Sequence, residues 1–170
     1  SILYNEIESL SNKIVRDLMK FAFSSMLAQT TKMMLWSDSS RPSWKVHRYW
    51  VPPNNVELNV WDRFENRYFD VLHGKEDAQK IIGYVTEGQS FADLSGKDFV
   101  IGFQSALNLL DKPTLMPSDS IDYVFTDPPY GGSVQYMELS AMWCAWLSGK
   151  NNDSRFQMNY DEEVTINDAQ

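Results

Sequence analysis

From Leu3 to about Met34 the apolar residues Leu3, Ile7, Leu10, Ile14, Leu18, Phe21 and Phe23 recur mostly at three- and four-residue spacing, with no Gly or Pro between them. That period predicts a long amphipathic helix or two abutting ones. Glu6, Glu8, Lys13, Arg16, Asp17 and Lys20 fall on the other positions and read as its solvated face. Between Ser37 and Asn55 the period is lost, and the turn-forming run from Ser37 to Pro42 leads into Trp44, Tyr49, Trp50 and Pro52-Pro53. This stretch reads as a loop or extended arm. The helical period returns in Val60, Trp61, Phe64, Tyr68, Val71 and Leu72, ahead of Gly74, with Asn54 and Glu57 spaced as a capping box before it. Charged residues from Lys75 to Lys80 then lead through Ile81-Ile82 and Gly83 into an irregular stretch.

In the second half the pattern shortens. Phe99 to Phe103 reads as a short buried strand, Ala106 to Leu110 as a short helical turn ended by Pro113, and Ile121 to Thr126 as a second strand rich in aromatic and β-branched side chains. Tyr136 to Leu147 reads as a helix with Met137, Leu139, Met142, Trp143 and Trp146 available for burial. Strand, helix, strand and helix in alternation is the rhythm of a doubly wound α/β sheet. The expected organisation is a mainly helical region over residues 1–96, with the arm at 37–55, followed by an α/β part over residues 97–170. Together they are read as one domain.

Composition narrows the classes. A chain of 170 residues with 43% hydrophobic side chains is long enough to bury one sizeable core. A formal charge of -8 argues against a protein that holds nucleic acid through a general positive field. Phosphate contacts, if made, need a local basic patch. The arm has one, with Arg41, Lys45 and Arg48 interleaved among Trp44, Tyr49 and Trp50. Cations meet phosphates and aromatic faces stack on bases, so Arg41, Trp44, Lys45 and Arg48 are candidate nucleic-acid contacts. The alternative is that the aromatics anchor a long arm to the body of the protein. The single cysteine, Cys144, leaves no intrachain disulfide or cysteine cluster for zinc, and His47 and His73 lack metal-ligand spacing. No metal is expected. No apolar run approaches the roughly 18 residues of a membrane span, and the expected location is cytoplasmic.

The informative segment is Asp127-Pro128-Pro129-Tyr130, followed by Gly131-Gly132 and placed directly after the second predicted strand. In open α/β sheets ligands bind beyond the carboxyl ends of the strands. Successive prolines remove backbone donors and leave carbonyl groups free to accept. An exocyclic amine of adenine or cytosine is a poor nucleophile because its lone pair is delocalised into the ring. Acceptors that hold the N–H hydrogens favour a tetrahedral nitrogen and stabilise the positive charge that develops on it. The Asp127 carboxylate and Pro128 carbonyl form such a pair, and Tyr130 offers a flat face for a base removed from the duplex. An ordinary turn is the competing reading of a Pro-Pro tetrapeptide.

Asp127-Pro128-Pro129-Tyr130 resembles motif IV of the amino-methyltransferases that act on adenine N6 or cytosine N4. The run from Asp122 to Trp143 resembles the site-specific DNA methylases of bacteria and archaea, with a helical segment like Ile14 to Leu27 ahead of the motif. The resemblance implies a partial Rossmann-like class I methyltransferase fold with a mainly helical N-terminal half. It implies S-adenosylmethionine as methyl donor and DNA as partner, with adenine favoured over cytosine, in a setting such as restriction-modification. Catalytic roles would fall to Asp127, Pro128, Pro129 and Tyr130, and Ser105 matches by position a segment that contacts the cofactor's adenine. Relatives carry a Phe-x-Gly-x-Gly segment that these 170 residues lack. The chain is therefore expected to be a fragment of the full catalytic domain, truncated at both ends and inactive on its own. Methylation of RNA or of a protein amide, and a non-catalytic interaction module, are the alternatives.

Overall fold

In the computed structural model the described residues are 1–37, 40–44, 49–102, 116, 119–128, 130, 134, 136–148 and 156–158. They fall into two compact units, one of Ser1–Ala78 with Glu138–Met158 and one built on Gln79–Met137.

The first unit begins with two helices, α1 (Ile2–Ser9) and α2 (Lys13–Leu27). The abutting-helix alternative holds. The break is local, because the Asn12 side chain accepts the amides of Ile14 and Val15 and so starts a new helix. A single 3₁₀ turn at Ala28–Thr30 follows α2, and the chain then enters a hairpin of β1 (Met34–Ser37) and β2 (Ser40–Trp44), paired antiparallel with Met34 opposite Trp44. The predicted helix therefore ends several residues before Met34.

Helix α3 (Val60–Ile82) starts later and ends later than its pattern suggests. Asn59, not Asn54, supplies the cap, its side chain accepting the Asp62 amide. Asn54 is committed to the hairpin, where its carbonyl accepts the Trp36 amide and its side chain donates to the Trp36 carbonyl. Gly74 does not stop the helix. The residues after it, Lys75 to Lys80, are strong helix formers that outweigh one glycine, and α3 ends at Gly83, whose φ of 80° suits a helix terminus.

Helix α4 (Tyr136–Leu147) matches its predicted span. The core of the first unit is Tyr4 and Ile7 of α1, Ala22, Phe23, Met26 and Leu27 of α2, and Phe64 of α3, with Met142, Trp143 and Trp146 of α4 packed against it. At its centre three rings meet edge to face or tilted: Tyr4 to Phe23 at 5.1 Å, Phe23 to Trp146 at 5.4 Å and Tyr4 to Trp146 at 6.0 Å between centroids. The Trp143 indole N–H donates to the Ser24 carbonyl at 3.0 Å, so the tryptophan's polar edge is satisfied where its body is packed. Among the described residues no helix is long and apolar enough to cross a membrane.

The second unit holds a parallel pair, β3 (Glu87–Gly88) and β4 (Phe99–Val100). Phe99 and Val100 were expected to be strand; the partner at Glu87–Gly88 carries no hydrophobic alternation and was not. Parallel pairing over two residues each is the one sheet feature shared with an α/β fold, and it is too small to establish one. The second expected strand, Ile121 to Thr126, is not paired with any strand among the described residues. Tyr123, Val124 and Phe125 are 79%, 71% and 82% exposed. Apolar alternation marks a segment suited to a sheet, but a strand exists only where a neighbour takes up its backbone bonds.

Candidate functional site

The parallel pair of the second unit is tied by two carboxylates. The Asp93 carboxylate accepts the amides of Gln89 at 2.8 Å and Ser90 at 2.9 Å, which closes the turn between β3 and the 3₁₀ segment Phe91–Ser95. Asp98 accepts the Thr86 amide at 2.7 Å and the Thr86 hydroxyl at 2.9 Å. The backbone amide of Gln89 first, then the amide and hydroxyl of Ser90, hold the Asp93 carboxyl below its ordinary value. The Thr86 amide and then its hydroxyl do the same for Asp98. Gly88 is required by close approach, since a methyl group there would sit 2.8 Å from the Asp93 Cβ and 3.1 Å from Val100 Cγ2.

Asp119, beyond β4, lies in the left-handed region at φ 57°, a conformation Asp tolerates better than most residues. Ile121 to Pro128 follows without helix or strand, and every residue of it is exposed. Asp127 and Pro128 are both open to solvent. Pro129, Gly131 and Gly132 lie outside the described residues. Tyr130 is 71% exposed, and its backbone amide donates to the Tyr136 hydroxyl at 3.5 Å. That contact links the motif to the first turn of α4. The sequence carries no signal for it, because a step of six residues is not a helical repeat.

The aromatic arm belongs to the first unit. Trp44 is half-buried, with its ring centroid 5.5 Å from Trp143 and 6.0 Å from Tyr49. The Tyr49 hydroxyl donates to the Leu139 carbonyl at 2.6 Å and accepts the Met142 amide at 3.3 Å. These two aromatics fasten the arm to α4, as the anchoring alternative expects. Trp36 and Trp50 keep about half their surface, at 49% and 54% exposed. Of the basic candidates, Arg41 stands on β2 with its side chain outside the described set, and Lys45 and Arg48 lie outside it entirely. His73 stacks on Phe69 at 6.2 Å, one turn away on α3.

S-adenosylmethionine needs a glycine-rich backbone that approaches its methionine part and a pocket for its adenine. Gly88 does not offer the first, because Asp93 and Val100 already fill the space above it. Ser105, the candidate for adenine contact, lies outside the described residues. Comparison with known proteins finds no family model, no curated protein and no solved structure that matches the chain.

Proposed function

We propose that the chain carries the amine-holding part of an S-adenosylmethionine-dependent methyltransferase acting on an exocyclic amino group of a DNA base, adenine N6 favoured over cytosine N4. The observation that carries this reading is the exposure of Asp127, Pro128 and Tyr130, all three open to solvent on one short segment. A base swung out of the duplex would lay its face on Tyr130 and its amino group toward Asp127 and the Pro128 carbonyl. The two acceptors take the N–H hydrogens, draw the lone pair out of conjugation and offset the charge that grows on nitrogen. The prolines fix the direction of the carbonyls, so little reorganisation accompanies the reaction. S-adenosylmethionine supplies the methyl group, and residues other than those described must hold it.

DNA contact outside the base pocket is assigned to Arg41, Lys45 and Arg48 with the exposed faces of the arm. Trp44, the fourth candidate, packs its ring 5.5 Å from Trp143. A net charge of -8 makes such a local patch necessary.

The reading is tested by transfer of labelled methyl groups to DNA by the complete natural protein and by its Asp127→Ala variant. Loss of about 10²-fold or more in rate is expected, the scale of removing one charge-stabilising group at a reacting centre. Because Asp127 is exposed, the variant should keep the circular dichroism and melting temperature of the parent. Unchanged transfer would sink the role given to Asp127.

A further inference from the structure

A cavity of 290 Å³ opens between α2 and α3 in the first unit, lined among others by Phe21, Arg67, Asp70, Val71, Gly74 and Lys75. Two features of it are unexplained by the fold. The first is Arg67. Its guanidinium pairs with the Asp70 carboxylate at 3.1 Å, yet its Nε is buried and has no hydrogen-bond partner among the described residues. A donor removed from water without an acceptor is costly and calls for one. The second is Gly74, in the interior of a 23-residue helix. A side chain there would meet nothing within 4 Å, so no neighbour demands the glycine, although glycine weakens a helix interior. Gly74 lines the cavity with bare backbone.

We propose that this cavity binds a nucleoside monophosphate. Arg67 and Lys75 supply two cations against the single acid Asp70, leaving a net positive wall in a chain that is otherwise acidic. The terminal nitrogen of Arg67, already on the Asp70 carboxylate at 3.1 Å, is the donor that would take a phosphate oxygen in its place. Phe21, 60% exposed on the opposite wall, offers a ring for a planar base, and Val71 an apolar edge. The volume of 290 Å³ lies just below the ~300–1,000 Å³ typical of small-molecule sites, which suits one nucleotide and not two. The same phosphate-plus-base chemistry has a second source, the terminal nucleotide of a strand. The proposal commits to the free nucleotide and does not depend on methyl transfer.

Isothermal titration with adenosine 5′-monophosphate, adenosine, inorganic phosphate and a short single-stranded oligonucleotide separates these cases. Adenosine 5′-monophosphate is expected to bind with a Kd on the order of 0.1 mM, and adenosine and phosphate each at least about ten-fold more weakly. Arg67→Ala should weaken it about ten- to a hundred-fold, and Asp70→Asn, which frees the guanidinium from its competitor, should strengthen it about two- to five-fold. Gly74→Ala should raise the melting temperature by about 2–4 °C while lowering affinity, a pairing of effects that a purely structural role for Gly74 cannot give. Absence of binding, or equal binding by the parent, Arg67→Ala and Gly74→Ala, overturns the proposal. Oligonucleotide binding that is tighter than that of the mononucleotide and lost in the same variants overturns it in favour of a strand end.

Discussion

Tyr130 and Trp44 show how far a side chain's role follows from its neighbours. Tyr130 is 71% exposed, and its ring is free to meet a base. Replacing it with Ala should slow methyl transfer about 5- to 100-fold through loss of a stack worth about 1–3 kcal/mol, whereas Tyr130→Phe should retain most of the rate. Equal loss in both variants would mean that the hydroxyl, not the ring face, matters. Trp44 came with two roles from its setting among Arg41, Lys45 and Arg48, and the structure shows the anchoring one, a ring packed on Trp143. The sequence could not separate them, because aromatic side chains serve both roles and the partner lies on a helix far along the chain. Phe23 was legible as core from its place in the helical period, and it is 1% exposed. Phe23→Ala should cost about 3–5 kcal/mol in chemical denaturation, the price of a large cavity among Tyr4 and Trp146.

At the scale of elements, helices were read better than strands. Periodicity located α1, α2, α3 and α4, since their apolar residues recur at helical spacing; their ends were less legible, because Asn54 was claimed by the hairpin and Asn59 took the cap. A strand depends on a partner that its own residues do not name. Glu87–Gly88 pairs with Phe99–Val100 without any apolar pattern, and Ile121 to Thr126 has the pattern without a pair among the described residues. The β3–β4 element should also be sensitive to acid. Asp93 and Asp98 both have folded-state values below the ordinary 3.8, so their contribution is complete above that value and is lost as pH falls through the lowered one. Asp93→Ala should therefore destabilise this element at neutral pH, and the gap from the parent, followed by amide exchange near Val100, should narrow below the ordinary carboxylate range. A gap that stays constant with pH would remove the charged cap from the account.

At the scale of the whole molecule, α4 from Glu138 onward belongs to the same compact unit as the N-terminal helices. Tryptophans 143 and 146 explain this, because their rings complete the core begun by Tyr4 and Phe23. The chemistry proposed for the motif rests on residue types alone, while its exposure and the Tyr136 contact come from the structure. With a net charge of -8, DNA binding should rest on a few cations of the arm. Replacing Lys45 and Arg48 together should weaken it and reduce the slope of log affinity against log salt by about 2. An unchanged slope would move the phosphate contacts elsewhere. The most direct measurement is mass spectrometry of nucleosides from DNA treated with the complete natural protein and S-adenosylmethionine, set beside its Asp127→Ala variant. The account predicts N6-methyladenine that disappears with the Asp127 carboxylate; DNA without any methylated exocyclic nitrogen, or methylation that survives the substitution, would contradict it.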